Sequence, residues 1–283
     1  MSLNKFYQAI GITKQNIHKH LNSQLEQQSM FENLYKIVVE IRNDHPTLSC
    51  RAMYYKIQPD NIGRDKFEHL CFEWGLVQQR FVKRVRTTFS TGVIRFENLY
   101  ENQVITQIDQ AYVSDITYFD VEGTFYFITF IMDAFSRYIL GYAASRRLTT
   151  EQTTLPALHM LLKYKKHKLR KGIVFHSDGG GQYYDKEFIK LTKQYEFKNS
   201  MCEFAYENGK AERINGIIKN NYLRHRKIRN YQELVTELDR SVSLYNNERP
   251  HKSLNFKTPK EIEKNSILAV ANKADDERVI RCK

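Results

Sequence analysis

Nine consecutive residues, Thr124 to Met132, read T-F-Y-F-I-T-F-I-M and leave almost no polar position. The run is far too short to cross a bilayer, which takes about 20 apolar residues in a helix. Its β-branched and aromatic content marks a strand covered on both faces. Such a strand needs a packed layer on each side. The flanking sequence supplies the partners. Tyr112 to Phe119 is a β-rich run that reaches it through the turn Val121-Glu122-Gly123. Arg137 to Ala144 follows the turn Asp133 to Ser136. Three strands with short connections make an antiparallel meander. Thr150 to Tyr164 then reads as a helix capped by Thr150, with Leu155, Leu158, Leu161 and Leu162 as its buried stripe. Lys171 to His176 is a short strand, Asp185 to Tyr195 a helix, Phe197 to Met201 a strand, and a last helix starts near Asn208. The order β-β-β-α-β-α-β-α predicts an α/β domain on a mixed five-stranded sheet with flanking helices.

The first 90 residues have a different texture, all-α. In Phe6 to Leu21 a tight turn at Gly11 follows Ala9 and Ile10. Thr13 can cap the next helix, and Ile17 and Leu21 share its buried face. That is helix-turn-helix grammar. Leu34, Ile37, Val38 and Ile41 fall on one face of a further helix. Arg51 to Ile57 is helical before Pro59, and Arg64-Asp65 opens a helix carrying Phe67, Leu70, Cys71 and Trp74, with Gly75 as its C′ residue. Arg64 and Lys66 face solvent on it, either as a solvated face or against DNA. The basic run Lys83-Arg84-Val85-Arg86 leads into a polar stretch suited to lie along phosphates. The expected divisions are a helical DNA-binding region over 1–90, a linker over 91–108, a catalytic core over 109–228 and a C-terminal helical extension over 229–283.

Charge points to a polyanionic partner. The chain of 283 residues holds 44 Lys and Arg against 32 Asp and Glu, a net charge of +12. The four cysteines are scattered, with no C-x-x-C pair and no His at zinc spacing, so reduced thiols in a cytoplasmic protein are expected rather than a zinc module. The N-terminus shows no apolar signal segment, and no membrane partner is expected.

Three carboxylates stand in distinctive phrases: Asp115 in V-S-D-I-T-Y, Asp178 in F-H-S-D-G-G-G-Q-Y, and Glu212 in E-N-G-K-A-E-R-I-N-G-I-I-K. Asp115 is mid-strand, where an ionised group is costly unless a site satisfies it. Asp120 and Asp133 fall at strand ends, where a turn explains them. Asp178 directly follows Ile173-Val174-Phe175, at the strand edge that lines the crevice of an open sheet, and Gly179 to Gly181 let the backbone pass close to an occupant. Glu212 lies in the first turn of its helix. At about 100° per residue, Asn215, Gly216 and Lys219 share its face. Lys219 is thereby placed for a phosphate. His176 is placed either to reach an attacking water or to hydrogen-bond inside the fold. Between Asp115 and Asp178 lie 62 residues, and 33 lie between Asp178 and Glu212. Those intervals match a ribonuclease H-like layout that brings the three ends together. Two Asp and a Glu so gathered suit two divalent cations over a phosphodiester.

These phrases, with D-A-F-S-R from Asp133, H-S-D-G-G-G-Q-Y from His176, N-G-K-A-E from Asn208 and Y-N-N-E-R-P-H from Tyr245 followed by Thr258-Pro259, give a resemblance over about residues 109–263. The chain resembles the catalytic subunit of transposases of the insertion sequence three family, whose core is like a retroviral integrase. The helical N-terminal region is also similar to that family's DNA-binding segment. The resemblance implies that Asp115, Asp178 and Glu212 are the D-D-E triad binding two Mg²⁺ (or Mn²⁺). It implies nicking at the element's ends and attack of the freed 3′-hydroxyl on another phosphodiester. The partners implied are double-stranded DNA (terminal inverted repeats and target), further copies of the chain, and a helix-turn-helix subunit from an upstream frame. The setting is the bacterial cytoplasm, on the nucleoid. DNA contacts are expected from Lys219, Asn215, Arg213, His176, Lys83, Arg84, Arg86, Arg64 and Lys66, and more distantly from Arg249 and His251. The interval before Glu212 is slightly shorter than usual, and Gly209 stands where Ala is common. A nuclease that cuts without joining would share the triad but not the D-A-F-S-R and Y-N-N-E-R-P-H phrases. A DNA-binding repressor decayed from a transposase would have lost a carboxylate.

Overall fold

The computed structural model describes residues 11–77, 96–166, 169–202 and 205–268, with the isolated positions 7 and 9. The chain divides into two compact units, residues 1–44 with 49–78 and residues 45–48 with 79–283.

The first unit holds three helices among the described residues: α1 (Lys14–Asp44), α2 (Cys50–Ile57) and α3 (Arg64–Glu73). Gly11 adopts the left-handed conformation at φ 68°, and Thr13 Oγ1 accepts from the Asn16 amide at 3.2 Å, the expected turn and cap. The helix they open does not stop near Leu21, however. It runs for 31 residues, because nothing between Leu21 and Leu34 is Gly or Pro and most of the stretch is Gln, Glu, Leu and Met. Leu21 is 48% exposed, so the compact hairpin core expected around Ile17 and Leu21 is not formed by it. Leu34 and Val38 carry the burial instead, with Met53, Phe67 and Cys71 from the other two helices. Gly75, at φ 67°, ends α3 as expected, and the Leu76 amide reaches back to the Cys71 carbonyl at 2.9 Å.

The second unit is built on strands β1 (Ala111–Val121), β2 (Thr124–Asp133), β3 (Ile139–Ser145), β4 (Val174–Ser177) and β5 (Lys198–Met201). They lie in the order β3-β2-β1-β4-β5. β1, β2 and β3 are antiparallel, and β4 and β5 run parallel to β1. The helices are α4 (Thr154–Tyr164), α5 (Lys186–Gln194), α6 (Gly209–Asn221), α7 (Tyr231–Glu248) and α8 (259–268). Side chains alternate across the sheet, as a strand's period of two demands. Ala111, Val113, Ile128, Phe130 and Met132 face one side, under Ile214 and Ile218 of α6 and Leu234, Leu238 and Val242 of α7. Tyr112, Ile131 and Phe175 face the other, under Ala157, Leu158 and Leu161 of α4 and Phe188 of α5. The two-sided covering read from Thr124 to Met132 is this sandwich. Gly141 is required by it: a Cβ there would stand 2.0 Å from the Ala157 carbonyl oxygen.

Two expected boundaries change. Residues 96–108 are no free linker, since Leu99, Tyr100 and Ile105 pack on the core and Ile108 is buried; residues 91–95 lie outside the described residues. Nor is α7 an extension. Its apolar stripe completes one covering layer, and Asn246 is bonded through both amide atoms to the Ile139 backbone, at 2.9 and 3.0 Å. The Y-N-N-E-R-P-H phrase is in this way structural, with Tyr245 fully buried and its ring 4.8 Å from that of His251.

Candidate active site

Strand register brings the first two carboxylates together. Ser114 of β1 pairs with Ser177 of β4, so Asp115 and Asp178, the next residue of each strand, emerge side by side. Asp115 Oδ1 accepts from the Ile116 amide at 2.9 Å and Oδ2 from Asn215 Nδ2 at 2.7 Å. Asp178 Oδ1 accepts from the Gly180 amide at 3.3 Å. The two carboxyl groups are themselves hydrogen-bonded. Burial, then the charge of Asp178, then that of Glu212, hold the Asp115 carboxyl well above the usual range. Burial also raises Asp178, against the Gly180 amide and the bond to Asp115. Like charges this close in a dry site oppose each other's ionisation.

Helix α6 is laid along β1 by a polar ladder. Asn208 Nδ2 donates to the Ser114 carbonyl at 2.9 Å, Asn215 to Asp115, and Lys219 Nζ to Thr117 Oγ1 at 2.7 Å and the Tyr118 carbonyl at 3.0 Å. Glu212 lies between the first two rungs in the first turn of α6, exposed, and near enough for its charge to act on Asp115. Among the described residues no three His, Cys, Asp or Glu side chains stand together at ion-holding distances. The donor set still fits a divalent cation. Two buried carboxylates that oppose each other's ionisation are a pair that a cation would relieve, and the Glu212 side chain, exposed in the first turn of α6, is free to turn toward them.

The competing acids have other work. Asp133 is fully buried and accepts from the amides of Asp109, Phe135 and Ser136; burial raises it to about 6. Asp109 pairs with Lys165. The three glycines after Asp178 are not in left-handed backbone. At Gly179 a Cβ would meet Met201 Cε, the movable end of a flexible side chain, at 2.6 Å, whereas a Cβ on Gly181 would meet nothing within 4 Å.

Several expected DNA contacts are placed otherwise. His176 is fully buried, bonded through Nδ1 to Ser200 Oγ at 2.9 Å and stacked on Tyr100 at 4.8 Å, so it is a packing residue out of DNA's reach. Asn215 is 6% exposed and turned to Asp115. Lys219 has spent two of its three ammonium hydrogens on β1 and lies 5.1 Å over the Tyr118 ring. Burial lowers it, with Arg224 adding to the fall and Asp115 opposing it. His251 carries an unpartnered, buried Nε2, which removes it from the DNA contacts. Arg213 is exposed on α6; on α3, Arg64, paired with Asp65 at 2.7 Å, and Lys66, 5.2 Å over the Phe31 ring, are exposed too. Lys83, Arg84 and Arg86 lie outside the described residues. Sequence reasoning missed Asn208 as an anchor of α6, because it marked that residue only as the place near which the last helix starts.

Burial pushes the His176 imidazole down to about 4, against the pull of Glu207. An unfolded His titrates near 6.5, so the unfolded chain takes its proton first as pH falls. The stability that neutral His176 contributes is therefore present above about pH 6.5 and is lost between there and about pH 4. Ring NMR signals of His176 are expected to hold the neutral state down to about pH 5. A midpoint near 6.5 would show a solvent-open ring.

Models described as an integrase core domain match residues 106–206 and 194–259. The transposase for insertion sequence element IS629 of Shigella sonnei is 30% identical over 234 residues, 81% of this chain and 78% of that protein. The chain belongs to the insertion-sequence transposases with an integrase-like core. Transposase InsF for insertion sequence IS3A of Escherichia coli (strain K12) is 29% identical over 119 residues, 41% of this chain and 40% of that protein. The HTLV-2 integrase catalytic core domain, solved in complex with magnesium, aligns at 19% identity over 56% of this chain and 97% of that one, with a TM-score of 0.45. As a transposase the chain is a polynucleotidyl transferase acting on DNA, in a fold family that normally uses a divalent metal. Among the described residues of this transposase no helix is long and apolar enough to cross a membrane.

Proposed function

We propose that Asp115, Asp178 and Glu212 are the acidic triad of this transposase and that they hold two Mg²⁺ or Mn²⁺ ions. The observation that carries the reading is the meeting of Asp115 and Asp178 across the β1–β4 register, with the charge of Glu212 acting on the same carboxyl. Bound divalent ions supply activation of the attacking oxygen and stabilisation of the leaving one. The chain's own part is to fix the acids. The Ile116 amide and Asn215 orient Asp115, the Gly180 amide orients Asp178, and the ladder on β1 sets the height of Glu212. No protein nucleophile is needed. Water attacks at the element's ends, and the freed 3′-hydroxyl then attacks target DNA. Arg213 and the remaining ammonium hydrogen of Lys219 are the phosphate contacts we assign on α6. The unit would act on terminal repeats as a homo-oligomer in the cytoplasm, with or without a subunit from an upstream frame.

The test is direct. Purified protein with labelled terminal repeats and Mn²⁺ is expected to give single-strand nicks first and joined products after. Nicks that never mature into joined DNA would leave a nuclease, and the transfer step of the proposal would fall.

A further inference from the structure

The ladder between α6 and β1 contains two asparagines, Asn208 and Asn215, each with a side-chain oxygen buried without a hydrogen-bond partner among the described residues, and only Asn215 touches an acid. Asn215 is 6% exposed, and its Nδ2 lies 2.7 Å from Asp115 Oδ2. A carboxylate only accepts, so the amide must turn its NH₂ end toward Asp115 whenever that acid is ionised. The opposite end, Oδ1, is then buried without a hydrogen-bond partner among the described residues. A buried acceptor left unmet is costly, and native structures rarely keep one without a use. Asn208 sits two turns earlier on the same ladder, but it touches the Ser114 carbonyl and no acid. The two asparagines thus differ in function: one anchors the helix, the other also grips a carboxylate.

We infer that Asn215 is a positioning residue for the cation held at Asp115. Its NH₂ fixes the Asp115 carboxylate in one rotamer, with Oδ1 of that acid already held by the Ile116 amide. Its own Oδ1 accepts a hydrogen bond from a water hydrating the ion. Partners behind a metal ligand act in this manner elsewhere, and their loss typically costs 10–100-fold in metal affinity. The inference rests on the reading of Asp115 as a metal ligand. It removes Asn215 from the set of DNA contacts.

The experiment titrates Mn²⁺ into the full chain and follows free ion by electron paramagnetic resonance. Asn215→Leu, close in shape but without donor or acceptor, is expected to weaken Mn²⁺ binding about 10-fold or more. Its affinity for terminal-repeat DNA is expected to stay within about twofold of wild type, and raised Mn²⁺ to restore much of the lost cleavage. Asn215→Ala is the second variant should Leu disturb packing. Asn208→Ala, which removes a rung that touches no acid, is expected to lower the melting temperature and to weaken Mn²⁺ binding clearly less than either Asn215 variant. Wild-type Mn²⁺ affinity in both Asn215 variants would overturn the inference. So would an equal loss in Asn208→Ala, which would reduce Asn215 to a helix anchor, or a loss of DNA affinity alone. Asp115→Asn separates the underlying reading: if that variant keeps its Mn²⁺, the metal site itself is wrongly placed.

Discussion

Asp115→Asn and Asp178→Asn are each expected to lower end cleavage and strand joining by at least about 10³-fold, the scale on which losing one group from a charge-stabilising set is felt. DNA binding should persist, because the basic side chains assigned to phosphate lie elsewhere. The substitution is isosteric and removes charge without opening a cavity. A second, independent outcome follows from the mutual repulsion and burial of the two acids. Both acids have folded pKa values above their unfolded ones. Groups of that kind contribute stability that is fully present below the unfolded pKa, near 4, and is lost as pH rises through the folded value. At pH 7 the metal-free wild type therefore bears an electrostatic cost that Asp115→Asn relieves. The variant should melt higher than wild type without metal, and Mn²⁺ should raise the melting temperature of wild type only. Metal-dependent joining retained by Asp178→Asn would refute the triad outright.

Much of this site was legible because strand chemistry repeats with a short period. Tyr112 to Phe119 and Thr124 to Met132 announced themselves by β-branched and aromatic content, and both became strands within two residues of the expected ends. Asp115 stood out as a charge where the alternation had no room for one. Other features depend on contacts between residues far apart in the chain. Whether His176 served the chemistry or the core was left open by its neighbours in sequence. Ser200, 24 residues on, and Tyr100, on a segment read as linker, decide it for the core. A helical extension over 229–283 was expected, but not the layer that α7 completes, so the core was drawn too short. The length of α1 was misjudged for a different reason. The faces at Ile17 and Leu21 and at Leu34 to Ile41 were read as two helices, while the Gln, Glu, Leu and Met between them carry an intrinsic helical preference that joins them.

Lys165 is where the sequence was least informative, and its removal should have the largest effect on stability. In K-Y-K-K-H-K it reads as one more surface cation. In the fold its ammonium lies 2.7 Å from Asp109 Oδ1 and 2.7 Å from Glu263 Oε1, and the three side chains are 8%, 17% and 2% exposed. Burial pulls the lysine down, but Glu263 and Asp109 outweigh it and the net shift is upward. Lys165→Met would keep most of the packing and strand two carboxylates. Among the described residues Glu263 already has one oxygen without a partner, and Asp109 would retain the Tyr112 hydroxyl alone. Breaking a buried pair from one side costs about 3–5 kcal/mol, read as a fall in the urea midpoint. Lys171→Ala breaks the exposed pair to Glu196 at 2.9 Å and should cost at most about 1 kcal/mol. Adding Glu263→Gln to Lys165→Met should recover part of the loss, since a neutral amide is cheaper to bury than an unpaired carboxylate. A Lys165→Met protein as stable as Lys171→Ala would mean that α8 is not held to the domain by this ion triad.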